Sequence, residues 1–291
     1  MKRKIIGITL CLLAILALFG VYRITTQPIF ENDADTETLD PAKTKTPFNA
    51  LLIGADASGK LADAIMIVNV NESEQKISML SIPRDTKVYM EERYRKINSC
   101  YMSGVDCLID AVKQLTGISI NYYAAIEPGT LGAIVDSLGG VEYTVEKNMY
   151  YSDPAQNLYI NIKKGPQTLN GQQAEHYCRY RQYITGDYER TQAQQRLFKA
   201  LFEQKLNAQN ITKVYDLYNA LRDKVRTNVT LADVVSNIGV MKMLGSDMSI
   251  ECYDCPGAYN DMHKEGISYY LIENQDLNSL RKLCYVNFKN D

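Results

Sequence analysis

Three features of this 291-residue chain predict an α/β fold: an αβα sandwich whose central mixed sheet is covered by helices, preceded by one transmembrane helix. Short apolar runs such as "FNALLIGAD" and "EQKISMLSIPRD" alternate with stretches whose apolar residues recur at helical spacing, the pattern of strands covered by helices. The run "IIGITLCLLAILALFGVY" follows Lys2, Arg3 and Lys4 and is long enough for a membrane-crossing helix, which needs about 17–25 residues. Between anchor and domain, "ITTQPIFENDADTETLDPAKTKT" shows no apolar period and cannot bury enough surface to fold.

The chain therefore divides into a cytoplasmic stub at 1–4, a transmembrane helix at 5–22, an extracytoplasmic tether at 23–46 and one domain at 47–291. Basic residues stay on the cytoplasmic side of a membrane, and the flank beyond Arg23 turns acidic, so the domain is expected outside the cell membrane. No small-x-small pair closes the apolar run, which favours a retained single-pass anchor over a cleaved signal peptide. With 32 basic residues, 34 acidic residues and a net charge of −2, the chain lacks the broad basic excess that nucleic acid requires.

Within the domain, "FNALLIGAD" and "AIMIVNVN" read as two strands flanking the loop "ADASGKLAD". In "EQKISMLSIPRD", apolar residues fall on both faces up to Pro83, as in a strand buried on both sides. Apolar residues recur at helical spacing from Asn98 to Leu115, and Gly117 marks a stop. "NYYAAI" reads as a strand, residues 128–138 as a helix ended by Gly139 and Gly140, and "GVEYTVE" as a strand. "KNMYYSDPAQNLYINIKKG" reads as irregular with a short extended piece. Asn170 with Gln173 makes a capping-box start for a helix to about Tyr180, Asp187 opens a longer helix, and Thr230 with Asp233 opens a later one. "SIECYDC" and "SYYLIE" supply late strands before a closing helix.

On a continuous helix, Cys100 and Cys107 would stand about 10 Å apart, beyond the roughly 7 Å reach of a disulfide. Cys252 and Cys255 in "CYDC" could form a tight disulfide or half a zinc site, but no second pair at ligand spacing accompanies them. His176 and His263 also lack partners at metal-binding spacing.

Chemistry gathers in "HYCRYRQYITGDYERTQAQQR", which crowds Arg179, Arg181, Arg190 and Arg196 together. Guanidiniums that close repel one another unless an anion sits among them. Arg179 and Arg181 could serve one group only if the helix unwinds between them, whereas Arg190 and Gln194 share a helix face. Arginine suits phosphate through its planar pair of donors. Asp56 and Asp63 bracket the first loop and could hold a hard divalent ion or simply cap that loop. Arg84 and Asp85 end a strand and could equally form an ordinary turn.

The motifs "NALLIGAD", "ADAIMIV", "SIPRDT", "KINSCYMSG", "VDSLGGVEYTV", "GPQTLNGQQAEHYCRYR" and "GDYERTQAQQRLFKAL" together resemble the LytR-CpsA-Psr family, over nearly the whole segment beyond the tether. That resemblance implies a membrane-anchored Gram-positive-type envelope transferase. Its members move a glycan phosphate of the teichoic acid or capsular polysaccharide type from a polyprenyl-pyrophosphate carrier to peptidoglycan. On this chain it implies that Asp56 and Asp63 hold Mg²⁺. Arg84, Arg179, Arg181, Arg190 and Gln194 would bind pyrophosphate, and Arg84, Asp85 and Asp63 would act in catalysis. The chain departs from the family pattern at "ADASGK" and "ADA" around the two aspartates, at Ala193 in place of an arginine, and at Arg95 before Lys96. A member that binds such glycans without transfer, or an envelope regulatory module, is the alternative.

Overall fold

The computed structural model describes residues 47–56, 58–183, 186–205, 225–229, 248–260 and 266–288. The segments read as stub, anchor and tether, and the helix expected after Thr230, lie outside these residues. Among the described residues no helix is long and apolar enough to cross a membrane.

Strand β1 (Phe48–Ala55) pairs antiparallel with β2 (Ala62–Asn71), and β2 pairs antiparallel with β3 (Lys76–Ser81). With β6 (Tyr122–Ile126), β11 (Val225–Thr227) and β12 (Ser249–Asp254) they form one sheet in the order β11-β6-β1-β2-β3-β12. The β1–β6 and β3–β12 pairs are parallel, so the sheet is mixed. Its central strands β2 and β3 are buried along most of their length because both faces are covered. Leu51, Ile53, Ile65, Ile67 and Leu80 face the helices α1 (Val105–Thr116) and α5 (Asn274–Asn287). Met66, Val68, Ile77 and Met79 face Phe198 and Phe202 of α4 (Asp187–Lys205).

A buried asparagine fastens the first face. Asn49 accepts from Asn69 and donates through its side chain to the carbonyls of Ser119 and Phe288, at 2.8–2.9 Å. It thereby ties the end of α5 to the sheet, and satisfying each of these buried polar groups avoids a penalty of about 1–3 kcal/mol apiece.

A second apolar cluster lies under two ribbons and three helices. The ribbons are β7 (Val141–Val145) with β10 (Gly165–Leu169), and β8 (Met149–Asp153) with β9 (Leu158–Ile162). The helices are α2 (Thr130–Ser137), α3 (Gly171–Arg179) and α4. The β8–β9 hairpin corrects the expectation of an irregular segment. Leu158, Ile160 and Ile162 are buried while Tyr159 is exposed, a period of two. The turn places Asn157 at φ 48°, a conformation asparagine tolerates better than most residues. Helix α3 begins as expected, with both bonds of the Asn170–Gln173 capping box formed. It also packs very closely on α2: a Cβ at Gly171 would stand 2.2 Å from the carbonyl oxygen of Gly132, so only glycine fits.

The stretch from Asn98 to Leu115 is not one helix. A 3-10 helix (Ile97–Ser103) and α1 are separated by Gly104 at φ 112°, a conformation natural to glycine. The break means that the rise of one continuous helix does not describe the spacing of Cys100 and Cys107. Cys100, Cys107, Cys178, Cys252, Cys255 and Cys284 are all free thiols.

Candidate functional site

The site forms where β2 begins and β3 ends. Their antiparallel register pairs Met66 with Ser81, and the Ile82 amide donates to the Ile65 carbonyl at 2.9 Å. Continuing that register outward sets Asp63 opposite Arg84, and the Arg84 Nη1 atom lies 2.5 Å from Asp63 Oδ1. Arg84 is held by its turn. The Thr86 amide and hydroxyl both donate to the Pro83 carbonyl, and the Asn98 amide donates to the Arg84 carbonyl.

Two further arginines arrive from the far end of the chain. Helix α3 ends at Arg179, and Tyr180 is extended (φ −64°, ψ 131°) and buried. The helix therefore unwinds between the two arginines, and Arg181 Nη2 comes 3.7 Å from Asp63 Oδ2. On α4, Arg190 is 2% exposed and its Nη2 donates to the Asp63 carbonyl at 3.4 Å. Two guanidiniums thus reach the Asp63 carboxylate and a third reaches its backbone carbonyl, so arginine donors from three segments converge on one residue. Planar donors grouped in this way suit a polyanion with several oxygens to share among them.

The remaining candidate residues are placed differently. Arg179 is exposed in the last turn of α3, beside His176. Burial first, and then the Arg179 charge, lower the His176 pKa from its ordinary value. The Gln194 side chain donates to the Cys178 carbonyl at 3.0 Å and joins α4 to α3. Asp85 is buried and paired with Lys96 at 2.8 Å, while its carbonyl accepts from Tyr270. The Asp56 carboxylate closes its own loop, accepting from the Lys60 and Leu61 amides at 2.9 and 3.0 Å and from the Ser58 hydroxyl. Burial disfavours its charge, but these hydrogen bonds outweigh burial and lower its pKa.

Among the described residues no cluster of three or more His, Cys, Asp or Glu could hold a metal ion. Mg²⁺ asks for less than that, because it takes one or two carboxylates together with phosphate oxygens and water. The hard oxygens of Asp56 and Asp63 fit that donor chemistry.

Sequence reasoning missed Lys96, whose role follows from Asp85, and a second carboxylate centre at Glu146. Arg196 Nε donates to Glu146 at 2.9 Å, and the Tyr143 and Tyr177 hydroxyls reach the same carboxylate at 3.0 Å. Burial first, then the neighbouring Tyr143, raise the Tyr177 pKa far above its ordinary value. Arg196 thus belongs to a different cluster from the three arginines at Asp63. Ala193 is fully buried in the second apolar cluster. Arg95 is also buried, paired with Glu91 and Ser99. A cavity of about 400 Å³ lies along the β7–β10 ribbon, lined by residues such as Glu142, Pro166 and Gln204, and none of the Asp63 group lines it.

Comparison with known proteins identifies the family. The LytR_cpsA_psr family matches residues 23–284. The chain is 30% identical to an uncharacterized Staphylococcus aureus protein, over 82% of this chain and 60% of that protein. It is 28% identical to the polyisoprenyl-teichoic acid–peptidoglycan teichoic acid transferase TagU of Bacillus anthracis, over 97% of this chain and 98% of that protein. Among solved structures, TagT bound to LI-WTA aligns with a TM-score of 0.68 at 25% identity, covering 87% of this chain and 94% of that one. Bacillus subtilis TagV shares the fold, with a TM-score of 0.70 over 83% and 96% of the two chains at 23% identity. With the family matched across most of its length, the chain belongs to the LytR-CpsA-Psr family.

Proposed function

We propose that this protein is a membrane-anchored, extracytoplasmic phosphotransferase that moves a glycan phosphate from a polyprenyl-pyrophosphate carrier to peptidoglycan. The observation that carries the reading is the convergence of Arg84, Arg181 and Arg190 on Asp63. A diphosphate entering this centre would compete with Asp63 for the guanidiniums, exchanging one carboxylate for several phosphate oxygens. The TagU and TagT relatives, named for teichoic acid transfer and for a bound WTA ligand, support the same substrate class.

In the proposed reaction an acceptor sugar hydroxyl attacks the phosphorus that bears the glycan. The new P–O bond forms as the bond to the bridging oxygen breaks, and polyprenyl phosphate leaves with that bond's electron pair. Arg84, Arg181 and Arg190 stabilise the charge that moves onto the leaving phosphate, so catalysis is mainly positioning and electrostatics. Asp63, released from its arginines, accepts the hydroxyl proton. Asp85, committed to Lys96 at 2.8 Å, positions the strand end that carries Arg84. Asp56 and Asp63 would hold Mg²⁺, which when bound supplies further neutralisation of the diphosphate.

A second reading, binding of the lipid-linked glycan without transfer, draws on the use of Asp56 to close its own loop. Release of polyprenyl phosphate from a synthetic polyprenyl-diphosphate glycan by the full-length protein in detergent separates the two. Transfer predicts release that needs magnesium, stops with chelator and is lost in Arg84→Ala. Retention of the lipid with no release in the presence of peptidoglycan acceptor selects binding alone.

A further inference from the structure

Immediately beyond Arg84 and Asp85 the chain turns into a hairpin of β4 (Lys87–Met90) and β5 (Arg93–Lys96). Its register sets Lys87 opposite Lys96, Val88 opposite Arg95 and Tyr89 opposite Tyr94. Side chains alternate across a strand, so Val88 and Arg95 form the buried face while Lys87, Tyr89, Tyr94 and Lys96 share the other. That outer face carries two large aromatic rings, with Tyr89 50% and Tyr94 64% exposed.

The rings are held rather than loose. Their centroids are 5.1 Å apart at 65°, and Lys87 Nζ lies 4.8 Å from the Tyr94 ring and 5.2 Å from that of Tyr269. At the tip, Glu91 and Glu92 both adopt positive φ (51° and 60°), the tight turn whose twist matches a two-residue hairpin. Arg95 braces that turn from below by pairing with Glu91. Two rigid aromatics exposed side by side offer contact area at low entropic cost. The face is continuous with the Asp63 centre, because Lys96 at its base pairs with Asp85, the neighbour of Arg84. Tyr89 lies five residues from Arg84, so at most about 18 Å of chain separates them.

We propose that this hairpin face is the docking site for the acceptor, a peptidoglycan glycan strand whose pyranose rings stack on Tyr89 and Tyr94 and lead a hydroxyl toward Arg84. The proposal rests on the transferase reading above. The C–H face of a sugar ring packs on an aromatic face, and Lys87 supplies a cation for the carboxylates that peptidoglycan carries. The same aromatic and basic residues could suit a membrane surface, but Glu91 and Glu92 form the tip of this hairpin. At the tip their charge offsets that of Arg93 and Arg95, so no net positive charge there draws anionic headgroups, whereas carboxylates hydrogen-bond readily to sugar hydroxyls.

The test uses full-length protein in detergent, co-sedimented with peptidoglycan sacculi stripped of teichoic acid. Tyr89→Ala/Tyr94→Ala should weaken retention about tenfold, as truncation of two aromatic anchors does, while Tyr89→Phe/Tyr94→Phe retains it. Binding of a polyprenyl-diphosphate probe and of anionic phospholipid vesicles should be unchanged in both variants. The single change Tyr94→Ala, at the more exposed ring, gives the same direction should the double alanine variant fail to fold. The proposal is overturned if wild-type protein does not bind sacculi or the alanine variants bind as wild type. It is equally overturned if phenylalanine fails as badly as alanine, or if the loss falls on vesicles instead. Ring-dependent sacculus binding without any polyprenyl phosphate release would instead remove the transferase reading and leave the docking face standing.

Discussion

The centres at Asp63 and Glu146 use the same ingredients to opposite ends. Each is one carboxylate with arginine in contact, and α4 supplies Arg190 to the first and Arg196 to the second. At Glu146 a single arginine meets a single carboxylate, and two tyrosine hydroxyls complete its hydrogen bonds. At Asp63 two arginines meet one carboxylate and a third donates to the backbone carbonyl of the same residue. The Glu146 cluster joins β7, α3 and α4. The Asp63 centre instead gathers guanidinium donors from three separate segments, where the oxygens of a further anion can share them. The convergence of several arginines, not the presence of one, separates the candidate binding site from the structural cluster.

The largest test of this contrast is on activity. Arg84→Ala should lower polyprenyl phosphate release by about 10²–10³-fold, the usual cost of removing one electrostatic stabiliser, with a melting temperature near that of the wild type. The same assay on Glu146→Ala should show activity per folded molecule unchanged, and a comparable loss there would erase the distinction. The Glu146 change should appear in urea denaturation instead. Leaving the buried Tyr177 hydroxyl short of its acceptor costs about 1–2 kcal/mol, while the half-exposed Arg196 pair adds little because solvent screens it.

Smaller effects sharpen the comparison. Asp63→Asn removes the resident anion from among the arginines, so inorganic pyrophosphate should bind about fivefold more tightly in calorimetry without magnesium, roughly 1 kcal/mol for a screened charge. Weaker binding would mean that Asp63 orients the arginines rather than competing for them. The smallest effect concerns Asp56. Its folded pKa lies below the ordinary 3.8, so its contribution to stability is present above that value and is lost as the pH falls through the folded value. Asp56→Asn should lower the melting temperature slightly near neutrality and flatten its decline in that acid range.

The docking hairpin was illegible in the sequence for a reason that also applies to β8 and β9. In both, polar and tyrosine residues occupy the outward positions, so alternation is present without an apolar run to draw attention to it. Helix α4 hid its role in another way. Arg190, Gln194 and Gln195 are buried in it, and Gln195 donates to the Met79 and Tyr253 carbonyls at 2.9 and 3.1 Å. A helix that buries polar residues against strand ends shows a weak apolar stripe however firmly it is packed.

Local chemistry was settled by sequence alone. The Asn170–Gln173 capping box, the doubly buried β3, the extended residues leading into Pro83 and the concentration of arginine between 179 and 196 all depend on neighbours a few residues apart. Family membership was likewise legible, because the motifs recur in order along the chain. Tertiary structure decided the partners. It chose Arg84, Arg181 and Arg190 for Asp63, and sent Arg196 to Glu146 and Gln194 to a backbone carbonyl. The Asp63–Arg190 contact joins residues 127 positions apart. Such a pair is set by strand register and by how α4 packs on the sheet, and no short-range propensity encodes either.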